Sequence, residues 1–571
     1  MIQTLLSLLL AVSPAGAAVK NPNTFVYAVV GDVTTLDPHW QYDGISSFVA
    51  EQIYEGLVGF EGSRTDTVVP LLASKVPTRA NGLISNDRRS YTFPIRKGVT
   101  FHDGSALTAE DVRYSLLRSM LQDRAGGHAW LLLDPILGVS SSRKDGKLIA
   151  DLYTRAAKAV RVKGNSVVIR LHKPFAPFMS VLPNYALIVA KKSSDWDGSA
   201  ASWKKHNNAS KEDSAYFKRS NGTGPFKVER WDQKNHTLYL SRHEKYWRGP
   251  AKLKRLVVKT VDEFGTRRLL LQGGDADAIF VDRNYLPQVA SVPGVTVRDG
   301  LPFLETHNTI TFGFEVETKG NRLVGSGRLD GRGIPGDFFK DKDARLGFAY
   351  AFPYRQYLEQ VYRGAGSQAR GAIPRGVLGY DANTPVFKQD LAKAEAHFKK
   401  AFGGKLWGKG FRLTCVFQQG KDTRGQACRI LGGVLRQLNS KFIVETRGIQ
   451  WSSLLDLYTK RMLPLECGRW GLDYPDPHNP VYAYLHSEGY YAKTQGYANP
   501  KMDALIEAAV IETNVAKRKT LYSKIQRLAH EDVSVLYTID THDFRVVRDW
   551  VKDFDHNPIV PYGYFHKVYK E

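Results

Sequence analysis

Cysteine, methionine and negative charge are all scarce in this 571-residue chain. It has three cysteines, Cys415, Cys428 and Cys467, and five methionines. Three thiols cannot staple a disulfide-framework domain, so stability has to come from hydrophobic cores. Beyond residue 18 no apolar run reaches the ~20 residues that cross a bilayer. The patterns HExxH, GxSxG and GxxxxGK[ST] are absent, which removes the common signatures of zinc peptidases, serine hydrolases and transporter ATPases. No zinc-finger, RNP or helix-turn-helix context surrounds the basic residues, so nothing points to nucleic acid.

Acidic residues number 57 against 80 Lys and Arg, a formal net charge of +23. Such an excess suits either an anionic partner or a generally basic exported protein. The basic residues are spread along the chain and form no polybasic tail, which favours the second reading. The 43% hydrophobic and 24% charged fractions are those of a globular protein, and the length allows more than one core. Residues 1–18 read as a signal peptide: an apolar run from Leu5 to Val12, then Pro14 and small residues. No cysteine stands near the expected cleavage point, so the mature protein is expected free in the periplasm, without a lipid anchor.

The pattern along the chain is mixed α/β. Strands are expected at Phe25–Val30, Ser166–Leu171, Phe226–Arg230, Thr237–Ser241 and Arg255–Val261, and a helix at Ser46–Leu57. A strand at Phe411–Phe417, a helix at Arg424–Leu438 and a strand at Phe442–Gly448 form a βαβ pattern. Val533–Thr538 reads as a strand. Residues 331–336, GRGIPG, match GxGxxG formally. No strand precedes them and Pro335 interrupts the helix start, so they read as a mobile loop and not a dinucleotide site.

The segment Tyr91–Asp111, YTFPIRKGVTFHDGSALTAED, joins an alternating strand, a His-Asp-Gly turn and a capping box at Thr108 and Asp111. With five other segments in order it resembles the family 5 extracellular solute-binding proteins, the oligopeptide, dipeptide and nickel receptors of ABC importers. Those segments are Thr35–His39 with Ile53–Leu57, Gly222–Phe226 with Tyr246-Trp247, Gly273–Asp277, Asp343–Ala351, and Trp470–Pro477 (WGLDYPDP). The resemblance implies a two-lobed periplasmic-binding-protein-like fold, type II in the large three-subdomain variant, with a hinge. Lobe I is expected at 19–301 with an extra subdomain at about 58–186, lobe II at 302–538, and a return to lobe I at 539–571. It further implies a monomeric, non-enzymatic receptor that captures short peptides and hands them to an ABC permease, using no cofactor and no metal. A metal chelate, haem, a sugar, an opine or a murein fragment is the alternative ligand within the family. A hydrolase using Asp473 and Asp476, or an envelope-adhesion module driven by charge, is the reading outside it.

The resemblance also assigns residues. In peptide-binding relatives the Asp of WxxDY pairs with the ligand's α-ammonium, which makes Asp473 the first ligand candidate. A cleft enclosing an ammonium must supply a carboxylate, because an unpaired buried charge costs several kcal/mol. Trp470 and Tyr474 flank it as apolar walls or cation–π partners. Tyr42 and Asp43, in the loop after Thr35–His39, are expected to touch an extended peptide. For the peptide carboxylate the candidates are Arg363, Arg370, Arg447 and Arg469, with Arg469 preferred for its place beside Trp470. His102 and Asp103 are read as structural. Asp473, Asp476 and His478 are not read as metal ligands, since Pro475, Pro477 and Pro480 imply an extended loop. Each cysteine is read as a buried, unbridged thiol, although one pair has the option of bridging. The disulfide that some relatives form after the Trp is not carried over, because Gly471 stands there.

Overall fold

Thr24–Val29, the first strand, is buried at alternate positions and then continuously (Phe25, Tyr27, Ala28, Val29), as befits a strand covered on both faces. In this computed structural model, which describes residues 19–560 and 562–571, that strand lies inside a seven-stranded sheet. The order is Val295–Leu301, Asp543–Arg548, Ala278–Ile279, Thr24–Val29, Arg255–Thr260, Thr237–Arg242 and Phe226–Asp232. The first strand is parallel to both neighbours. The signal-peptide expectation for residues 1–18 lies outside the described residues.

A second, five-stranded sheet runs Phe442–Ile449, Phe411–Gln418, Leu465–Gly471, Glu305–Phe312, Val535–Leu536. Alternation along Phe411–Gln418 serves two cores. Leu413 and Cys415 enter one with Phe348, Phe398 and Leu431, while Val416 enters the other with Leu454, Tyr458 and Trp470. The chain passes between the sheets twice, at residues 302–304 and 537–542. A three-stranded sheet (Ser90–Pro94, Ser166–Arg170, Val160–Lys163) shares the core of the first sheet.

Five helices matter below: α1 (Gly44–Ile53), α2 (Ala109–Gln122), α3 (Asp422–Leu438), α4 (His478–Leu485) and α5 (Val515–Asp532). Helix α1 starts because Asp43 caps it, accepting from the backbone N–H groups of Ile45 and Ser46. Helix α2 starts at the expected box, with Thr108 and Asp111 reciprocally bonded.

The recurrent segments prove to be buried joints. Asp37 receives both Arg118 nitrogens of α2, at 2.8 and 2.6 Å. Glu55 accepts from Thr223 Oγ1 at 2.8 Å, Tyr246 Oη at 2.7 Å and Trp247 Nε1 at 3.0 Å. Gly222 and Gly224 press so close to the end of α1 that a Cβ on either would meet the Ile53 or Gln52 carbonyl at 2.1 or 2.6 Å. His102 bonds the Gly224 carbonyl at 3.0 Å and Asn221 bonds Asp103 at 2.8 Å, a structural use of that turn. Asp476 holds Arg518 of α5 through two bonds of 2.7 Å. The C-terminal Lys570 pairs with Asp277 at 2.9 Å.

Several details differ from the sequence reading. Cys415 and Cys428 are bridged, their Cα atoms 5.7 Å apart, because strand and helix α3 face each other there; only Cys467 is a buried free thiol. Residues 331–336 are packed: Ile334 is buried, and its N–H bonds the Val324 carbonyl at 2.9 Å. Pro480 sits in the first turn of α4, where the missing N–H is harmless, and residues 473–477 form a series of bends and a turn and not an extended loop. The strand expected at Val533–Thr538 shortens to Val535–Leu536, since α5 runs on to Asp532.

Removing Arg118 leaves the Asp37 carboxylate buried with no cation. Arg118→Met should therefore destabilise by about 3–5 kcal/mol, read as a lower midpoint in urea unfolding. A midpoint within experimental error of the parent's refutes the assignment.

Candidate functional site

A cavity with about 1360 Å³ of empty space, its open mouth included, lies between the two sheets. Its walls come from the carboxyl ends of parallel strands, which is where open α/β sheets hold ligands. Val30–Asp32 follow the first strand, Gln418, Lys421 and Arg424 follow Phe411–Gln418, and Arg469–Asp473 close Leu465–Gly471. Helix α1, Phe303–Glu305 and Tyr562 complete it.

Asp473 is 5% exposed. Its Oδ1 accepts from Tyr185 Oη at 2.5 Å, and its Oδ2 from Tyr42 Oη at 3.0 Å and Asn479 Nδ2 at 2.7 Å. Asn479 also accepts from the Asp473 N–H and from Trp470 Nε1, at 2.9 and 2.8 Å. All three donors to the carboxylate are neutral, and among the described residues no cation lies within salt-bridge range. Burial pushes the carboxyl up to about 6, with the bonds from Tyr185, Asn479 and Tyr42 opposing. Aromatic rings surround it: Tyr42 stands 6.0 Å from each of Tyr185, Trp470 and Tyr490, and Trp470 stands 5.6 Å from Tyr490.

Another part of the wall is cationic. Lys421 and Arg424, each 5% exposed, flank the N-terminus of the 17-residue α3, whose aligned amides add positive potential. No carboxylate among the described residues comes within 4 Å of either side chain. Lys421 Nζ stands over the Phe280 ring at 3.4 Å, and burial brings it down to about 7. Arg424 Nε donates to Asn308 Oδ1 at 3.3 Å. Asn308 sits in a bulge of Glu305–Phe312 with φ +44°, which turns its amide toward α3. Glu466 also lines the cavity, with its carboxyl pushed up to about 7 by burial.

The sequence candidates divide. Asp473, Trp470 and Tyr42 meet at one wall, joined by hydrogen bonds and ring contacts. Asp43 lines the cavity, but its carboxylate is occupied by the α1 cap and by Thr34 Oγ1 at 2.7 Å. Tyr474 is fully buried outside the lining and bonds His478 at 2.7 Å, so it packs the loop. Arg469 lines the cavity with its guanidinium paired to buried Glu305, which also contacts His307. Arg363, Arg370 and Arg447 lie outside the lining. Sequence reasoning missed Tyr185, which carries no motif. It also missed Lys421 and Arg424, although a Gly-Lys turn between a strand and a helix marks the ligand end of a βαβ unit. Among the described residues no group of three or more His, Cys, Asp or Glu is arranged to hold a metal ion, and no helix is long and apolar enough to cross a membrane.

The family model for bacterial extracellular solute-binding proteins, family 5 (middle), matches residues 67–492. The chain belongs to that family. As a family 5 solute-binding protein it is 25% identical to the probable D,D-dipeptide-binding periplasmic protein of Escherichia coli, over 98% of this chain and 96% of that one. It is also 25% identical to the heme-binding protein A of Haemophilus influenzae, over 95% and 91%. The oligopeptide-binding protein of Bacillus subtilis, solved with a nonapeptide, superposes with a TM-score of 0.76 at 20% identity, covering 96% of this chain and 99% of that one; the likeness establishes the fold.

The Asp473 carboxyl, held above the ordinary 3.8, binds a proton more readily folded than unfolded. It therefore removes stability from the empty protein as pH rises from about 4 to about 6. Asp473→Asn should lack that contribution and match or exceed the parent in thermal stability at pH 7, with the difference shrinking by pH 4. A variant less stable at pH 7 than at pH 4, relative to the parent, contradicts this.

Proposed function

We propose that this protein captures short peptides in the cavity between its sheets and delivers them to the permease of an ABC importer, doing no chemistry of its own. The observation that carries the reading is one cavity with a buried carboxylate, Asp473, and, elsewhere on its wall, two buried cations, Lys421 and Arg424, none of the three with an opposite charge in salt-bridge range among the described residues. That is the complement of a zwitterion. The α-ammonium takes Asp473, with Tyr42 and Trp470 as its aromatic surround. The α-carboxylate takes Lys421, Arg424 and the α3 amides. Remaining space is filled by side chains and water, so recognition is broad. The peptide ligands of the Escherichia coli and Bacillus subtilis relatives support this choice of ligand class. Two crossings between the sheets make a hinge, and ligand bound across them draws the molecule closed as a monomer, the form the permease reads.

Native mass spectrometry of the purified protein, followed by release of its contents, tests the reading. Masses that fragment as short peptides support it. A single haem-like or other non-peptide mass keeps the family and replaces the ligand, in line with the Haemophilus relative.

Two predictions follow from the assignment of the ends. Asp473→Ala should cost about 2–5 kcal/mol of peptide affinity by calorimetry, because the ammonium is left unpaired, and N-acetylated peptides should bind the parent poorly. The double variant Lys421→Met/Arg424→Met should lose the preference for free over amidated C-termini. Unchanged affinity of Asp473→Ala, or a preserved carboxylate preference, refutes the respective end.

A further inference from the structure

Glu51 stands on the cavity-facing side of α1, one turn beyond Ser47 and Phe48, which line the same wall. It lines a second cavity as well, with about 970 Å³ of empty space, whose walls include Glu55, Tyr246, Arg248 and Tyr564. Glu51 is the residue common to the two linings.

Of the five carboxylates that line this side cavity three have partners, and the exceptions are the exposed Asp555 and Glu51. Glu55 has its three donors, Glu61 faces Arg248 at 3.7 Å and Asp553 faces Lys252 at 3.4 Å. Glu51 accepts no hydrogen bond and meets no cation within 4 Å among the described residues. Glu51 is half-buried, and the loss of water around it pushes its carboxyl up to about 8, with no donor or cation opposing the shift. Tyr185, the hydroxyl donor to Asp473, has its own ionisation opposed first by burial and then by the charges of Asp473 and, less strongly, Glu51. Asn184, 7% exposed on the same wall, has an amide oxygen with no partner among the described residues. Acceptors collect here, in a chain whose net charge is +23.

We propose that Glu51 forms a second cation subsite, which takes the ammonium or guanidinium side chain of a basic first residue whose α-ammonium is held by Asp473. The side cavity receives the aliphatic stem and its water. This deepens the peptide reading and rests on it: the preferred ligand begins with Lys, Arg or a shorter basic homologue. Glu51 discriminates between ligands and takes no part in binding those with neutral first residues.

Calorimetry with two tripeptides tests the subsite: Lys-Ala-Ala, and the same peptide with norleucine, the uncharged isostere, in first place. The parent should bind the lysine peptide about tenfold tighter. Glu51→Gln should bring the ratio to near one while leaving the norleucine peptide within about twofold, and Glu51→Asp should retain part of the preference. A parent that binds both alike, or a ratio unchanged in Glu51→Gln, overturns the subsite while the peptide reading stands. If neither peptide binds the parent, the peptide reading fails. The subsite is then judged on 1,5-diaminopentane: a thermal shift lost in Glu51→Gln upholds it, and no Glu51-dependent shift overturns it.

Discussion

A carboxylate removed from water must be given donors or a cation, and that constraint organises most of this molecule. Asp37 has Arg118, Asp476 has Arg518, Asp277 has Lys570, and Glu305 has Arg469. Each pair ties segments far apart in sequence, and each is costly to leave half made. Glu55 solves the same problem with neutral donors alone, from Thr223, Tyr246 and Trp247. The segments that identify the chain supply Asp37, Asp277 and Asp476 to these joints, and both sides of the joint at Glu55. Asp473 satisfies its hydrogen bonds as Glu55 does, but it faces a cavity that a ligand can enter.

This explains which parts of the fold were legible. Thr35–His39 and Gly222–Phe226 stand out in the sequence because burial and close approach dictate them, no side chain fitting at Gly222 or Gly224, and Asp103–Gly104 because the turn there needs the φ of +85° at Gly104. Strands with a simple period were readable too, and the Phe411–Gln418, α3, Phe442–Ile449 unit appears within a few residues of its expected bounds. The short strand Val535–Leu536 was overestimated, because apolar residues in a crossing segment pack like a strand without making its ladder. The Cys415–Cys428 bridge was not decidable, because three thiols allow several pairings and only the facing of strand and helix selects one.

The site was legible where a motif carried it and illegible where geometry did. Asp473 and Trp470 lie in a recurrent loop. Tyr185 ends an unremarkable apolar helix and reaches Asp473 across 288 positions of sequence. Arginine's fork suits the carboxylate end, and adjacency to Trp470 points to Arg469. Adjacency misleads here: the strand register sets Glu305 opposite Gly471, so Arg469 meets an internal carboxylate first. Lys421 and Arg424 gain their position from a βαβ turn, and they are buried with Asp282 near them but no carboxylate in salt-bridge range.

Leaving charges unpaired in the empty protein has a cost that a purely structural network would avoid, and the cost is informative. Asp473 is held up to about 6 and Lys421 down to about 7, so each charged form is least favoured while the cavity is empty. A ligand that brings the opposite charge relieves that cost, and relief enters the binding free energy directly. A neutral molecule of the same shape removes water from these groups without compensating them and is selected against. On the peptide reading proposed above, specificity for charged ends and tolerance of what lies between them would have one origin. The cavity is exacting where its own groups are unsatisfied and permissive wherever they already have partners, as Asp43 does in capping α1.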